Sequence, residues 1–173
     1  SGQSGKYESY VPHLDRLIAI VSKAQPQAEL VWHMTWSYAK ESTHGDFPKY
    51  DRDQQKMYDA ITDCVHRMLK EYDCFEKIIP SGTAIQSLRL SEINNSPKDF
   101  TRDGYHMDLG AGRYALACTW YETLIKPYTR LSMMGNSLRL DLGDVKVTDA
   151  TAPYCQKAAK KAARKPFKVQ RIK

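Results

Sequence analysis

The chain has 173 residues, 42% of them hydrophobic and 27% charged, an ordinary globular balance for one domain with a sizeable core. Its net charge of +6 marks no basic binding face: eight Lys and Arg follow Cys155 with no acid among them, and the first 154 residues alone sit at −2. No apolar run approaches the ~20 residues of a membrane span. No signal peptide is visible, and Cys64, Cys74, Cys118 and Cys155 form no C-x-x-C and no compact Cys/His cluster, which argues against structural zinc.

In chain order, Ser1 to Gly5 is loop-like. From Tyr10 to Ala24, Val11, Leu14, Leu17, Ile18 and Val21 recur at helical spacing, and Pro26 ends the helix. Glu29 to Met34 (ELVWHM) is short, apolar and β-rich, a buried strand. A long aromatic, charged loop follows, Thr35 to Tyr50; loops of that length in compact domains are usually functional. Asp51 to Tyr72 is a second amphipathic helix, with Met57, Ile61, Cys64, Val65, Met68 and Leu69 on its apolar face. Lys77-Ile78-Ile79-Pro80 is a second strand, Thr83 to Leu90 a helical turn and Ser91 to Thr101 a polar loop. Gly110 to Ile125 is a helix carrying aromatic residues, and Ala150 to Lys165 an Ala/Lys-rich helix. Cys64 and Cys118 read as buried thiols.

Helix, strand, helix, strand, helix is the order of an α/β domain with parallel strands. Two strands are too few for such a sheet, so further strands are expected from an N-terminal segment or from a second chain. Residues 1–130 read as the body of the domain, and residues 131–173 as an extension ending in the basic helix. No nucleic-acid-binding motif accompanies the basic tail, so no nucleic-acid partner is expected. No cofactor and no metal is expected either.

The chemistry lies in Thr101-Arg102-Asp103-Gly104-Tyr105-His106. A histidine three residues after a carboxylate can act as a general base, with the Asp fixing its tautomer and stabilising the imidazolium. The same two residues are also ordinary helix-capping material. Ligands of parallel α/β sheets bind at the carboxyl ends of the strands. Trp32-His33-Met34-Thr35-Trp36 and Ser81-Gly82-Thr83 both fall there. Trp32, His33 and Trp36 are therefore the expected substrate rim, since an indole face can stack on a sugar ring. Ser81 is expected to cap the turn that follows it. His44 and Asp46 in the long loop lack the tight spacing of metal ligands.

Asp103-Gly104-Tyr105-His106, followed by Gly112-Arg113-Tyr114 and an aromatic helix, resembles the last block of the SGNH hydrolases, or GDSL-type esterases. Val31 to Trp36, Ile79 to Ala84 and Thr101 to His106, in that order, are similar to an uncharacterised bacterial branch of that superfamily, over roughly residues 1 to 125. The resemblance implies a three-layer α/β/α fold on a five-stranded parallel sheet, and a Ser-His-Asp triad whose Asp and His are Asp103 and His106. It implies a nucleophilic Ser in an N-terminal G-D-S or G-N-S block. Its oxyanion hole would use that Ser amide, a Gly from a second block and an Asn from a third. The chain departs from the pattern. It enters near the third block, where Ser1 or Ser4 stands in place of the Asn, and the nucleophile block is not within it. Gly135-Asn136-Ser137 follows the Asp–His pair and no apolar strand leads into it, so it reads as a turn.

The resemblance implies a serine esterase acting on ester bonds, with O-acetyl groups on carbohydrate as the expected substrate. His106 deprotonates the serine and Asp103 holds the imidazole; the chain alone is expected to be inactive. Export from a bacterial cell is implied by the family only. The alternative is a non-catalytic carbohydrate- or protein-binding α/β domain that uses the aromatic loop and needs no nucleophile.

Overall fold

The computed structural model describes residues 2–95, 97–139 and 145–173. The chain is a mixed α/β protein. Its described strands, β1 (Leu30–His33) and β2 (Phe75–Ile79), form a two-stranded parallel sheet with Trp32 opposite Ile78 and His33 opposite Ile79. A bulge between Leu30 and Val31 shifts the register. β2 starts two residues earlier than the sequence suggests, because Phe75 packs edge-on against Trp32 at 5.0 Å. It stops before Pro80, which has no amide to give the ladder.

Helix α1 (Val11–Ala24) has proline in its first turn, where the missing N–H costs nothing. It turns Leu14 onto the core and leaves Leu17 and Ile20 exposed, at 56% and 54%. Helix α2 (Gln54–Glu71) begins three residues later than expected. Asp51 and Arg52 adopt left-handed backbone (φ 55° and 53°), and Asp53 then caps the helix by accepting the Lys56 amide at 2.8 Å. Its apolar face (Met57, Ile61, Val65, Met68) joins Trp32, Met34, Tyr38, Phe47 and Tyr50 in one core cluster. The long loop is therefore folded inward, with a 3₁₀ turn at Phe47–Tyr50.

Helices α3 (Ser81–Leu88), α4 (Ala111–Trp120) and α6 (Ala152–Arg164) enclose a second cluster, containing Ile85, Leu88, Phe100, Ala115, Cys155 and Ala158. Cys155, Ala158 and Ile172, from the segment set apart in the sequence reading, belong to this core. Fully buried Ala158, Ala159 and Ala162 lie on the face of α6 that packs on α3 and α4. The tail returns to α3, where the Gln170 amide donates to Ser87 Oγ at 3.0 Å and Ile172 enters the core. The expected helix from Gly110 to Ile125 is interrupted: after Trp120 it widens into a π-helical turn, Tyr121–Ile125, before the short α5 (Lys126–Thr129). All four cysteines are free thiols. Burial pushes Cys64 up to about 11 and Cys118 up to about 12. No helix among the described residues is long and apolar enough to cross a membrane.

Candidate functional site

The Asp103–His106 loop is closed at its base by a backbone ladder. Thr101 bridges Met107, the Arg102 amide donates to His106 O at 3.0 Å, and the Asp108 amide donates to Phe100 O at 2.9 Å. Gly104 sits at φ 89°, where a side chain would be strained and would press on Ser42. Both oxygens of Asp103 are used. Oδ1 accepts the amides of Tyr105 at 3.1 Å and His106 at 2.7 Å, while Oδ2 lies 2.6 Å from His106 Nδ1. Burial raises the Asp103 carboxyl, but these hydrogen bonds outweigh it and hold the group below the usual carboxylate range. A carboxylate on Nδ1 makes that nitrogen the N–H donor and leaves Nε2 with its lone pair. The His106 side chain is 54% exposed, and Nε2 has no hydrogen-bond partner among the described residues. Chemically this is an oriented base facing outward, with one side open.

Three sets of contacts hold the loop in place. The Trp36 indole N–H donates to Tyr105 O at 2.8 Å, and the Ala39 amide donates to Gly104 O at 2.8 Å. The Tyr105 ring sits edge-on to His44 at 4.7 Å and Tyr38 at 5.9 Å. Beneath lies a buried polar network centred on Arg89. Its guanidinium donates to Ser37 Oγ, Ser37 O, Gln86 Oε1 and Asp99 O. Burial lowers the Arg89 pKa to about 10, still protonated at neutral pH. The Asp99 carboxylate accepts from the Lys40 amide, Gln54 and Asn94. The sequence reading missed this network. Arg89, at the end of a short helical turn, carries no local sign that it turns inward.

A second polar pair lies at the carboxyl ends of the strands. His33 Nε2 is 2.9 Å from Ser81 Oγ. Ser81 makes no capping bond, contrary to the sequence reading, because its hydroxyl is taken by this imidazole. Burial lowers the His33 pKa, which favours neutral imidazole. Gly82 permits the approach of α3 to β1: a Cβ there would lie 2.1 Å from Thr35 O, and its amide donates to Met34 O at 3.0 Å.

The expected rim residues divide. Trp32 is a core residue, packed against Tyr10 and Phe75, because strand alternation turns it to the face opposite His33. His33 and half-buried Trp36 stay together, with ring centroids 6.5 Å apart. The sequence reading missed Trp120, which meets His33 edge-on at 5.2 Å and is 42% exposed. It stands at the junction with the π turn, and such turns recur at functional sites. Trp36 thus joins the two polar pairs, its N–H on the Asp–His loop and its ring beside His33.

Ser137 lies exposed after a turn in which the Asn136 amide donates to Met133 O and Gly135 has φ 78°. Ser4 is buried, and Ser1 lies outside the described residues. His44 Nδ1 accepts the Asp46 amide, and no group of three or more His, Cys, Asp or Glu among the described residues is placed to hold a metal ion.

Residues 1–162 match the profile of a domain of unknown function, DUF4886. Among solved structures, the chain is similar to a DUF4886 family protein from Bacteroides uniformis ATCC 8492, at 35% identity and a TM-score of 0.84. That similarity takes in 99% of this chain and 63% of the Bacteroides chain, so the present chain spans less than two thirds of its relative. No curated protein matches it.

Proposed function

We propose, for a chain that belongs to the DUF4886 family, that it supplies the Asp–His half of a serine ester hydrolase of the SGNH type. The observation that carries this reading is the 2.6 Å contact of Asp103 Oδ2 with His106 Nδ1, made while Nε2 stays open. In such a hydrolase Nε2 takes the proton from a serine hydroxyl as the oxygen attacks the ester carbonyl. It returns that proton to the leaving alkoxide when the acyl-enzyme forms. The acyl-enzyme is then cleared by water through the same base. On this reading the attacking serine would be supplied from outside these residues, and the three-layer α/β/α arrangement is the matching reading of the fold. Ser81 does not suit the role, because its hydroxyl is buried on His33.

Carbohydrate O-acetyl esters are the substrate class we favour. His33, Trp36 and Trp120 offer an aromatic surface linked to the catalytic loop through the Trp36–Tyr105 hydrogen bond, and indole faces suit sugar rings. The test is hydrolysis of p-nitrophenyl acetate and acetylated xylan by the full-length protein and its His106→Ala variant. Loss of a general base predicts a fall of about 10²–10⁴-fold. Equal rates in the two proteins would remove His106 from the reaction and the proposal with it. The same protein binding sugar with no esterase activity would favour a carbohydrate-binding domain.

A further inference from the structure

The flank of α4 carries a cavity that the Asp–His chemistry does not use. Tyr114, Ala117, Cys118 and Tyr121 recur at helical spacing along one face of the helix and its π turn. Met133 and Leu138 line the other side from the following segment, around a volume of about 220 Å³ with mainly apolar walls. An apolar cavity of about 150 Å³ holds a benzene-sized guest, so this one takes an apolar body of roughly eight carbon atoms.

The polar groups of the lining are unequal. The Tyr114 hydroxyl is occupied, accepting from Gln156 Nε2 at 2.9 Å and from Arg139 at 3.2 Å. Arg113 is different: it lines the cavity, is exposed, and its guanidinium makes no hydrogen bond or ion pair among the described residues. The acid that influences it, Asp108, already spends its oxygens on the amides of Gly110 and Gly112. A guanidinium beside an apolar chamber complements one anion attached to an apolar chain, and its planar fork fits a carboxylate.

We propose that this cavity binds a monocarboxylate with an apolar body of roughly eight carbons, the chain between α4 and the Met133–Leu138 segment and the carboxylate on Arg113. The site stands apart from the ester-hydrolase reading, and neither depends on the other.

The test is titration of octanoate and of octan-1-ol into the purified protein by calorimetry, with the methionine methyl groups carbon-13 labelled. Saturable one-to-one binding of octanoate is expected, with the Met133 methyl resonance moving in step. Arg113→Ala weakens octanoate at least about tenfold, the scale of a charge-assisted hydrogen bond, and leaves octanol within about twofold. Ala117→Trp blocks both. The Met133 signal reads the parent protein, so the test survives if that variant folds poorly. Absence of saturable binding at millimolar octanoate, or binding that leaves Met133 unmoved, overturns the site. Equal octanoate affinity in parent and Arg113→Ala overturns the carboxylate assignment.

Discussion

Asp103 and His106 are joined twice, side chain to side chain at 2.6 Å and carboxylate to backbone amide at 2.7 Å. The second bond sets where the histidine backbone lies, and the first sets how its ring is turned. Asp103→Asn keeps the shape but offers Nδ1 no anion, and its amide can favour the wrong tautomer. On the proposed hydrolase reading, esterase activity is expected to fall by up to about 10⁴-fold with little change in KM. A loss confined to KM would make Asp103 a substrate contact.

Acid should act on the carboxylates that support the loop. Burial raises Asp99, but the Lys40 amide, the Arg89 charge, Asn94 and Gln54 together hold it below the usual range; Asp103 is held low in the same direction. A depressed folded pKa gives stability that is present above the unfolded value, about 3.9, and is lost as pH falls through the folded one. The melting temperature is therefore expected to fall steeply below about pH 4, and Asp99→Asn to flatten that acid limb. Unchanged acid sensitivity in Asp99→Asn would contradict the assignment.

Arg89 holds Ser37, Gln86 and Asp99 O from within the core. Arg89→Ala leaves those acceptors unpaired and Asp99 without its compensating charge. A loss of roughly 3–5 kcal/mol is expected in denaturant unfolding, together with faster proteolysis at residues 35–50 and 99–106. A loss under about 1 kcal/mol would show that water replaces the guanidinium at little cost.

Gly82→Ala would drive a methyl group onto Thr35 O. Overpacking of this kind costs about 1–3 kcal/mol, or roughly 3–10 °C of melting temperature in a domain of this size. Calorimetry of the variant reads it directly, and an unchanged melting temperature would mean that α3 and β1 separate freely.

Much of this was legible in the residues because it is local. The period of Met57, Ile61, Val65 and Met68 marks α2, and Asp103 and His106 meet within three residues of chain. What was hidden is long-range or depends on the facing of a strand. In ELVWHM alternation puts Trp32 with Leu30 and Met34, and His33 with Glu29 and Val31. Apolar residues stand on both faces, and which of them meets the core is fixed by the packing of Trp32 on Tyr10 and Phe75. The bonds from Arg89 to Ser37 and from His33 to Ser81 span 52 and 48 residues, and no local pattern marks either. Trp120 reads in the sequence as one more aromatic of a continuous helix, whereas in the structure it ends α4 and meets His33.

Fluorophosphonate labelling of the full-length protein, read by intact mass and peptide mapping, tests the Asp–His assignment most directly. One adduct is expected, on a serine N-terminal to residue 1 of this chain, strongly reduced in His106→Ala and retained in Ser81→Ala. An adduct that forms equally well without His106, or one on Ser81 or Ser137, would contradict it.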